Sequence, residues 1–208
     1  LLSYLPCTGT KQQRASRCNE GFVCDEISFT DLEEMLKGDY AYSPFKFING
    51  IRGKDNIISG CKWIVLDIDT SEITDVEAHL LLSDINHYIV RTSNKNNPNK
   101  FRALIELDAE VDIPDIRWKL FIKEITNDLG LIADGLAKSQ IFFSYSDREI
   151  LATTDMEPLT TKPYLDAISV IDLTPKKAPS KKACNSMLND PFSTFEKAFN
   201  SNRCCSVL

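Results

Sequence analysis

Two aspartates stand one residue apart at the end of an apolar run, Trp63-Ile64-Val65-Leu66-Asp67-Ile68-Asp69. Side chains alternate along a strand, so Asp67 and Asp69 are expected to project from one face at its end. Carboxylates held that close repel each other unless a cation or a proton lies between them. Mg²⁺ or Mn²⁺ suits such a pair, because hard cations take oxygen ligands and share them with phosphates. The plainer alternative is a solvated strand end entering a turn, which Asp and Thr70 also favour.

A second group has the opposite charge. Between His87 and Arg102 lie Arg91, Lys95, Lys100 and Arg102 with no Asp or Glu, in a chain whose net charge is −6. Carboxylates that hold metal and cations that hold a polyphosphate are the two parts a phosphoryl-transfer site needs. A solvated, Asn-rich loop would carry the same charges. Arg102 is the exception, since it falls inside a strand, Phe101 to Asp108, on the face of Glu106 and Asp108. A further oxygen ligand is expected from Asp134, which leaves the apolar triplet Leu131-Ile132-Ala133 just before Gly135. Asp108 is its rival.

The elements that must position these groups are legible in outline. Thr30 to Glu33 and Thr74 to Glu77 read as capping boxes opening two short helices. The second helix carries Val76, Leu80, Leu81 and Ile85 at helical spacing. Strands are expected over 61–69, 87–92, 101–108 and 140–145, with another at 149–153. A helix should run from Pro114 to about Asp128, closed by Gly130. The interleaving implies an α+β fold, a mixed or antiparallel sheet flanked by helices. Residues 1–172 read as one domain and 173–188, rich in Pro and Lys, as a linker. Residues 189–208 read as a terminal helix with Phe192, Phe195 and Phe199 on one side, leading toward a further domain.

The 208 residues suit one mid-sized domain with a tail. No apolar run approaches membrane-spanning length and no secretory signal is visible, so a cytosolic protein with no membrane partner is expected. Seven cysteines and two histidines are spaced too irregularly for a zinc ribbon, and free thiols are expected. Nucleic-acid binding would need a local basic patch, since the chain is acidic overall.

The order of these motifs resembles the archaeo-eukaryotic primase superfamily, and within it the primase-polymerases of phages and plasmids. The residues that carry the resemblance are Leu66-Asp67-Ile68-Asp69, Ile89 to Lys95, Phe101 to Ile105, and Asp134 ahead of Phe142-Phe143. Gly50 to Asn56 is also similar to the segment before the acidic strand. The resemblance spans roughly residues 40–150. It implies a primase-polymerase catalytic core with an RRM-like sheet, and Asp67, Asp69 and Asp134 as catalytic metal ligands. Ser93, Asn94, Lys95, Lys100, Arg102 and Lys138 would bind the nucleotide. The partners it implies are a single-stranded DNA template, nucleoside triphosphates and a helicase domain or subunit, in phage or plasmid replication. The chain departs from the family in one place. The middle motif usually contains histidine, whereas this chain has Thr92-Ser93-Asn94-Lys95. Either Asn94 or Lys95 takes the phosphate contact, or the site is weakened.

Two other readings compete. Asp67-Ile68-Asp69-Thr70-Ser71 is also similar to the first motif of the haloacid dehalogenase phosphatases, with Asp67 as nucleophile. In that reading the region after residue 130 lacks the later pair of acids that should complete the metal site, and the strand at 101–108 has no role. The third reading is a catalytically inactive replication-initiator or single-strand-binding domain, in which aromatic residues stack bases.

Overall fold

A computed structural model describes residues 2–58, 60–69, 72–92, 94, 96–133 and 137–171. The expected linker and terminal helix therefore lie outside the described residues, as do Ser93, Lys95 and Asp134. The elements are β1 (Leu2–Pro6), α1 (Lys11–Arg17), β2 (Val23–Asp25), α2 (Leu32–Leu36), β3 (Tyr40–Ser43), β4 (Cys61–Ile68) and α3 (Asp75–Leu81). They continue with β5 (His87–Arg91), β6 (Phe101–Val111), α4 (Asp115–Asp128), β7 (Phe142–Phe143), β8 (Ile150–Thr153) and α5 (Lys162–Ser169).

The fold is α+β, with two four-stranded sheets in the orders β2-β1-β3-β7 and β4-β6-β5-β8. Every strand pair is antiparallel. Strand β4 is apolar from Trp63 to Leu66 because both of its faces are covered there. Ile64, Leu66 and Ile68 pack with Ala78 and Leu82 near α3 and with Phe121 of α4. Trp63 and Val65 point the other way, against Leu2, Tyr42 and Phe142 of the first sheet. The layers thus run from first sheet to second sheet to helices. Asp67 follows Trp63 and Val65 by the period of two, so it belongs to the face between the sheets.

Four expectations change. The helix after Thr30 forms, but its N-cap is Asp31 without a side-chain cap bond. The Ser28 hydroxyl holds the Asp31 carboxylate at 2.6 Å instead. The box at Thr74 does form, with Glu77 bonding back to the Thr74 amide. The apolar series on α3, however, faces outward. Leu80 is 66% exposed, whereas Ala78 and Leu82 are buried. Strand β6 runs on to Val111 through the stretch expected to be an acidic loop, because Cys61 pairs with Val111 beyond a bulge in β4. The strand expected at 140–145 shortens to Phe142–Phe143 and joins the first sheet by pairing with β3. One sharp bend needs glycine: Gly50 has φ +66°, and a Cβ there would lie 2.3 Å from the Phe22 carbonyl oxygen.

Candidate active site

The acids meet the cations across one antiparallel strand pair. Asp67 lies opposite Arg102 in the register of β4 and β6. Arg102 Nε–H donates to Asp67 Oδ1 at 2.8 Å. One period along, just past the two strands, Lys100 Nζ stands 3.8 Å from Asp69 Oδ1. Two opposite-charge rungs therefore close this end of the β4–β6 ladder. The strand period that aligns the two carboxylates also aligns the two cations beneath them.

The rungs differ in depth. Arg102 is buried, and its Nη1–H donates to the Phe143 carbonyl at 2.8 Å while the guanidinium lies 5.3 Å from the Phe142 ring centre. Burial opposes its charge, but Asp67, ahead of Tyr42, more than offsets that and raises its pKa above the ordinary guanidinium value. The Tyr42 phenol, sealed under the same pair, is pushed up to about 12, chiefly by burial. The Lys100 and Asp69 side chains are 38% and 48% exposed. The outer rung can exchange its partner for a ligand at little cost, because an exposed ion pair contributes about 0–1 kcal/mol.

Between β5 and β6 the described residues Thr92, Asn94 and 96–100 are braced on several sides. The Thr92 amide donates to the Lys100 carbonyl at 3.2 Å. Asn94 is exposed, and its Oδ1 accepts from the Asn96 amide at 3.3 Å, a local turn bond of the kind Asn favours. The α3 side is tied by the Asp75 amide to the Pro98 carbonyl at 2.8 Å and by Asn99 Nδ2 to the Ile73 carbonyl at 3.1 Å. Arg91 points to that side too, with Nε–H on Asp75 Oδ2 at 2.5 Å. It is therefore a brace for the start of α3 and faces away from the two rungs.

Of the residues expected in the site, the structure brings together Asp67, Asp69, Lys100 and Arg102. Asn94 belongs to the loop between β5 and β6, and Lys138 is paired elsewhere. The Lys138 ammonium lies 3.6 Å from Asp112 and 5.4 Å from the Phe45 ring centre. The ammonium is therefore turned toward Asp112, although the residue also lines a small cavity with Val65 and Phe142. The rival third acid, Asp108, is remote. Its Oδ1 accepts from the Thr161 amide at 2.9 Å and hydroxyl at 2.7 Å, at the start of α5. Those bonds hold its carboxyl below the usual range. Arg102 lies roughly 20 Å back along β6.

Asp67 and Asp69 offer the oxygen donors a hard divalent cation takes. Among the described residues no group of three or more His, Cys, Asp or Glu side chains comes together to hold an ion. The two carboxylates fit as a partial ligand set whose further ligand must come from outside the described residues or from a substrate.

Sequence reasoning missed the segment behind Arg102. The Ser144 carbonyl accepts from Arg14 Nη1–H at 2.7 Å, and Arg14 also holds Asp39 at 2.6 Å. Arg14 and Arg148 lie 4.4 and 4.9 Å from the Tyr145 ring centre. The Tyr-Ser-Asp-Arg run from 145 was the only signal, and the distant Arg14 left none.

No protein-family model matches the chain, and no curated protein matches it. A solved structure does. The AEP domain of the cyanophage S-2L primase-polymerase aligns over 80% of this chain and 88% of that one, with 10% sequence identity and a TM-score of 0.45.

Proposed function

We propose that this chain is a metal-dependent nucleotidyltransferase that joins nucleotides on a single-stranded DNA template, as a primase, a polymerase or both. The observation that carries the reading is the doubled acid–cation ladder at the end of β4 and β6. It sets two carboxylates that can take a divalent cation beside one accessible cation, Lys100, that can take phosphate, with the buried Arg102 holding Asp67 in place. The motif order of the archaeo-eukaryotic primases supports the same assignment, and from it come the phage or plasmid setting and the helicase partner.

The reaction joins a 3′-hydroxyl to the α-phosphorus of a nucleoside triphosphate and expels pyrophosphate. Asp67 and Asp69 would hold Mg²⁺ or Mn²⁺ with Asp134, and the bound ion would offset charge on the phosphoryl oxygens. Lys100 is the phosphate contact, since its ammonium is accessible and its partner exposed. Ser93, Asn94 and Lys95 would add further contacts to the triphosphate. Arg102 holds the Asp67 carboxylate in place and is too committed to lead in binding triphosphate. Lys138, whose ammonium is paired with Asp112, would have to release that partner to reach a nucleotide.

The phosphatase alternative needs Asp67 as a nucleophile, yet its Oδ1 is tied to a buried guanidinium. The test is incubation with a single-stranded template, labelled nucleotides and Mg²⁺ or Mn²⁺. The wild-type chain should extend products, whereas Asp69→Asn should lose incorporation while remaining folded. Template binding without any synthesis, in either metal, would favour the inactive single-strand-binding alternative.

A further inference from the structure

The stretch from Phe143, the last residue of β7, to Arg148 is held by two arginines from elsewhere in the chain and by its own Arg148. Arg102 of β6 takes the Phe143 carbonyl and Arg14 of α1 takes the Ser144 carbonyl. Arg148 folds back over the Tyr145 ring, opposite in chain order to Arg14, so the one ring meets two guanidinium groups. Cation–π contacts of this kind are stronger where the cation is desolvated. The Arg148 side chain is only 7% exposed although its neighbour and ion partner Asp147 is 55% exposed. Its contacts include the ring, a backbone carbonyl and the Asp147 carboxylate.

What Arg148 reaches is the base of the loop between β5 and β6. Its Nε–H donates to the Thr92 carbonyl at 3.0 Å. The amide of the same Thr92 closes the loop on the Lys100 carbonyl. One residue therefore carries both the arginine bond and the loop-closing bond. The same segment presents the Phe143 carbonyl that fixes Arg102, and through it Asp67. Residues 143–148 accordingly connect the two halves of the proposed site, the carboxylate end of β4 and the phosphate-binding loop.

Resting on the nucleotidyltransfer reading, we propose that Arg148 is a positioning residue. It sets Thr92, and through the Thr92–Lys100 bond Lys100, at the spacing from Asp67 and Asp69 that a metal-bound nucleoside triphosphate requires. It touches neither substrate nor metal in this role. Its loss should loosen the loop and weaken nucleotide binding while the carboxylates keep their places.

Hydrogen exchange and steady-state kinetics on Arg148→Ala and Arg148→Lys test this. A charge-assisted bond is typically worth ten- to a hundredfold in an opening equilibrium. The Thr92 and Lys100 amides should therefore exchange roughly tenfold faster or more in Arg148→Ala, with the β4 amides unchanged. The KM for nucleoside triphosphate should rise about tenfold with kcat within about twofold, and Arg148→Lys should recover part of both. If Arg148→Ala does not fold, Arg148→Gln, which keeps a donor without the charge, is read the same way. Unchanged exchange at Thr92 and Lys100 overturns the proposal, and so does faster exchange with an unchanged KM. If the wild-type chain transfers no nucleotide, the proposed function fails. The exchange arm then still decides whether Arg148 holds the loop.

Discussion

Each of the two acid–cation rungs joins structure and chemistry in a different proportion. Arg102 and Asp67 are both shielded, so removing one leaves the other charged and poorly solvated, a change that typically costs 3–5 kcal/mol for a buried pair. Asp69 and Lys100 are well exposed, and breaking their contact should cost at most about 1 kcal/mol. The expected outcome is a double dissociation. Arg102→Ala should lower stability by about 3 kcal/mol in a denaturant titration, partly restored by Mg²⁺ that takes over the stranded Asp67. Asp69→Asn should leave the midpoint almost unchanged and abolish nucleotide incorporation. Equal losses of stability in the two variants would mean that the rungs are a single structural ion-pair network. The sequence made the carboxylates legible because a strand period of two needs no tertiary information. It could not place the Arg102 guanidinium, because its second acceptor, the Phe143 carbonyl, comes from the other sheet. It preferred Asp134 to Asp108 as the third acid; Asp134 lies outside the described residues, and the structure fixes Asp108 to the start of α5.

Local signals predicted elements best where the bonds that define them are local. The Thr74–Glu77 box closes within four residues and marks the start of α3 correctly. The burial of that helix was misread, because the apolar series Val76, Leu80, Leu81 points outward and the small Ala78 faces the sheet. A close approach of helix to sheet favours a small residue, so hydrophobicity alone chose the wrong face. In the first sheet only β7 was anticipated, and as a longer strand; β1, β2 and β3 were illegible, since they are short and gain their definition from long-range pairing. The contact of α3 with β5 includes both histidines of the chain, His79 Nδ1 and His87 Nε2 being 2.7 Å apart. His87 is fully buried and also contacts the Ile85 carbonyl through Nδ1 at 2.8 Å. Burial is the main cause that holds its pKa below the ordinary value. The unfolded chain then binds a proton more readily than the folded one. This contribution to stability is complete above about pH 6.5 and is lost as pH falls below it, at up to about 1.4 kcal/mol per pH unit. Denaturant titrations at pH 7.5 and 5.5 should show the loss in the wild type and a flatter response in His87→Gln. An identical response in both would assign the acid sensitivity to carboxylates.

At the scale of the whole described fold, the second sheet is the scaffold on which everything else is stacked. It lies between the helices and the first sheet, and its β4 strand takes apolar partners from both sides. A site at the end of such a strand inherits the rigidity of two packed cores, which is what prepositioned ligands require. Cys61 at the other end of β4 reports on that rigidity. Its side chain is 1% exposed, within the core that includes Val111 and Trp118. Its thiol is pushed up to about 12, above all by burial, with Lys138 pulling only partly in the other direction. The thiolate is the reactive form, so at neutral pH this cysteine should be inert to alkylating reagents until the sheet opens. If opening is global, the labelling rate falls below that of a free thiol by the unfolding equilibrium constant, commonly four or more decades for a domain of ordinary stability. Mass-resolved labelling should find Cys24, which is only partly buried, modified long before Cys61. Arg102→Ala should accelerate Cys61 labelling by the same factor as its loss of stability, and Asp69→Asn should not. If Cys61 labels as fast as Cys24 in the wild type, β4 opens locally, and the acid pair is carried on a strand too mobile to preposition a metal.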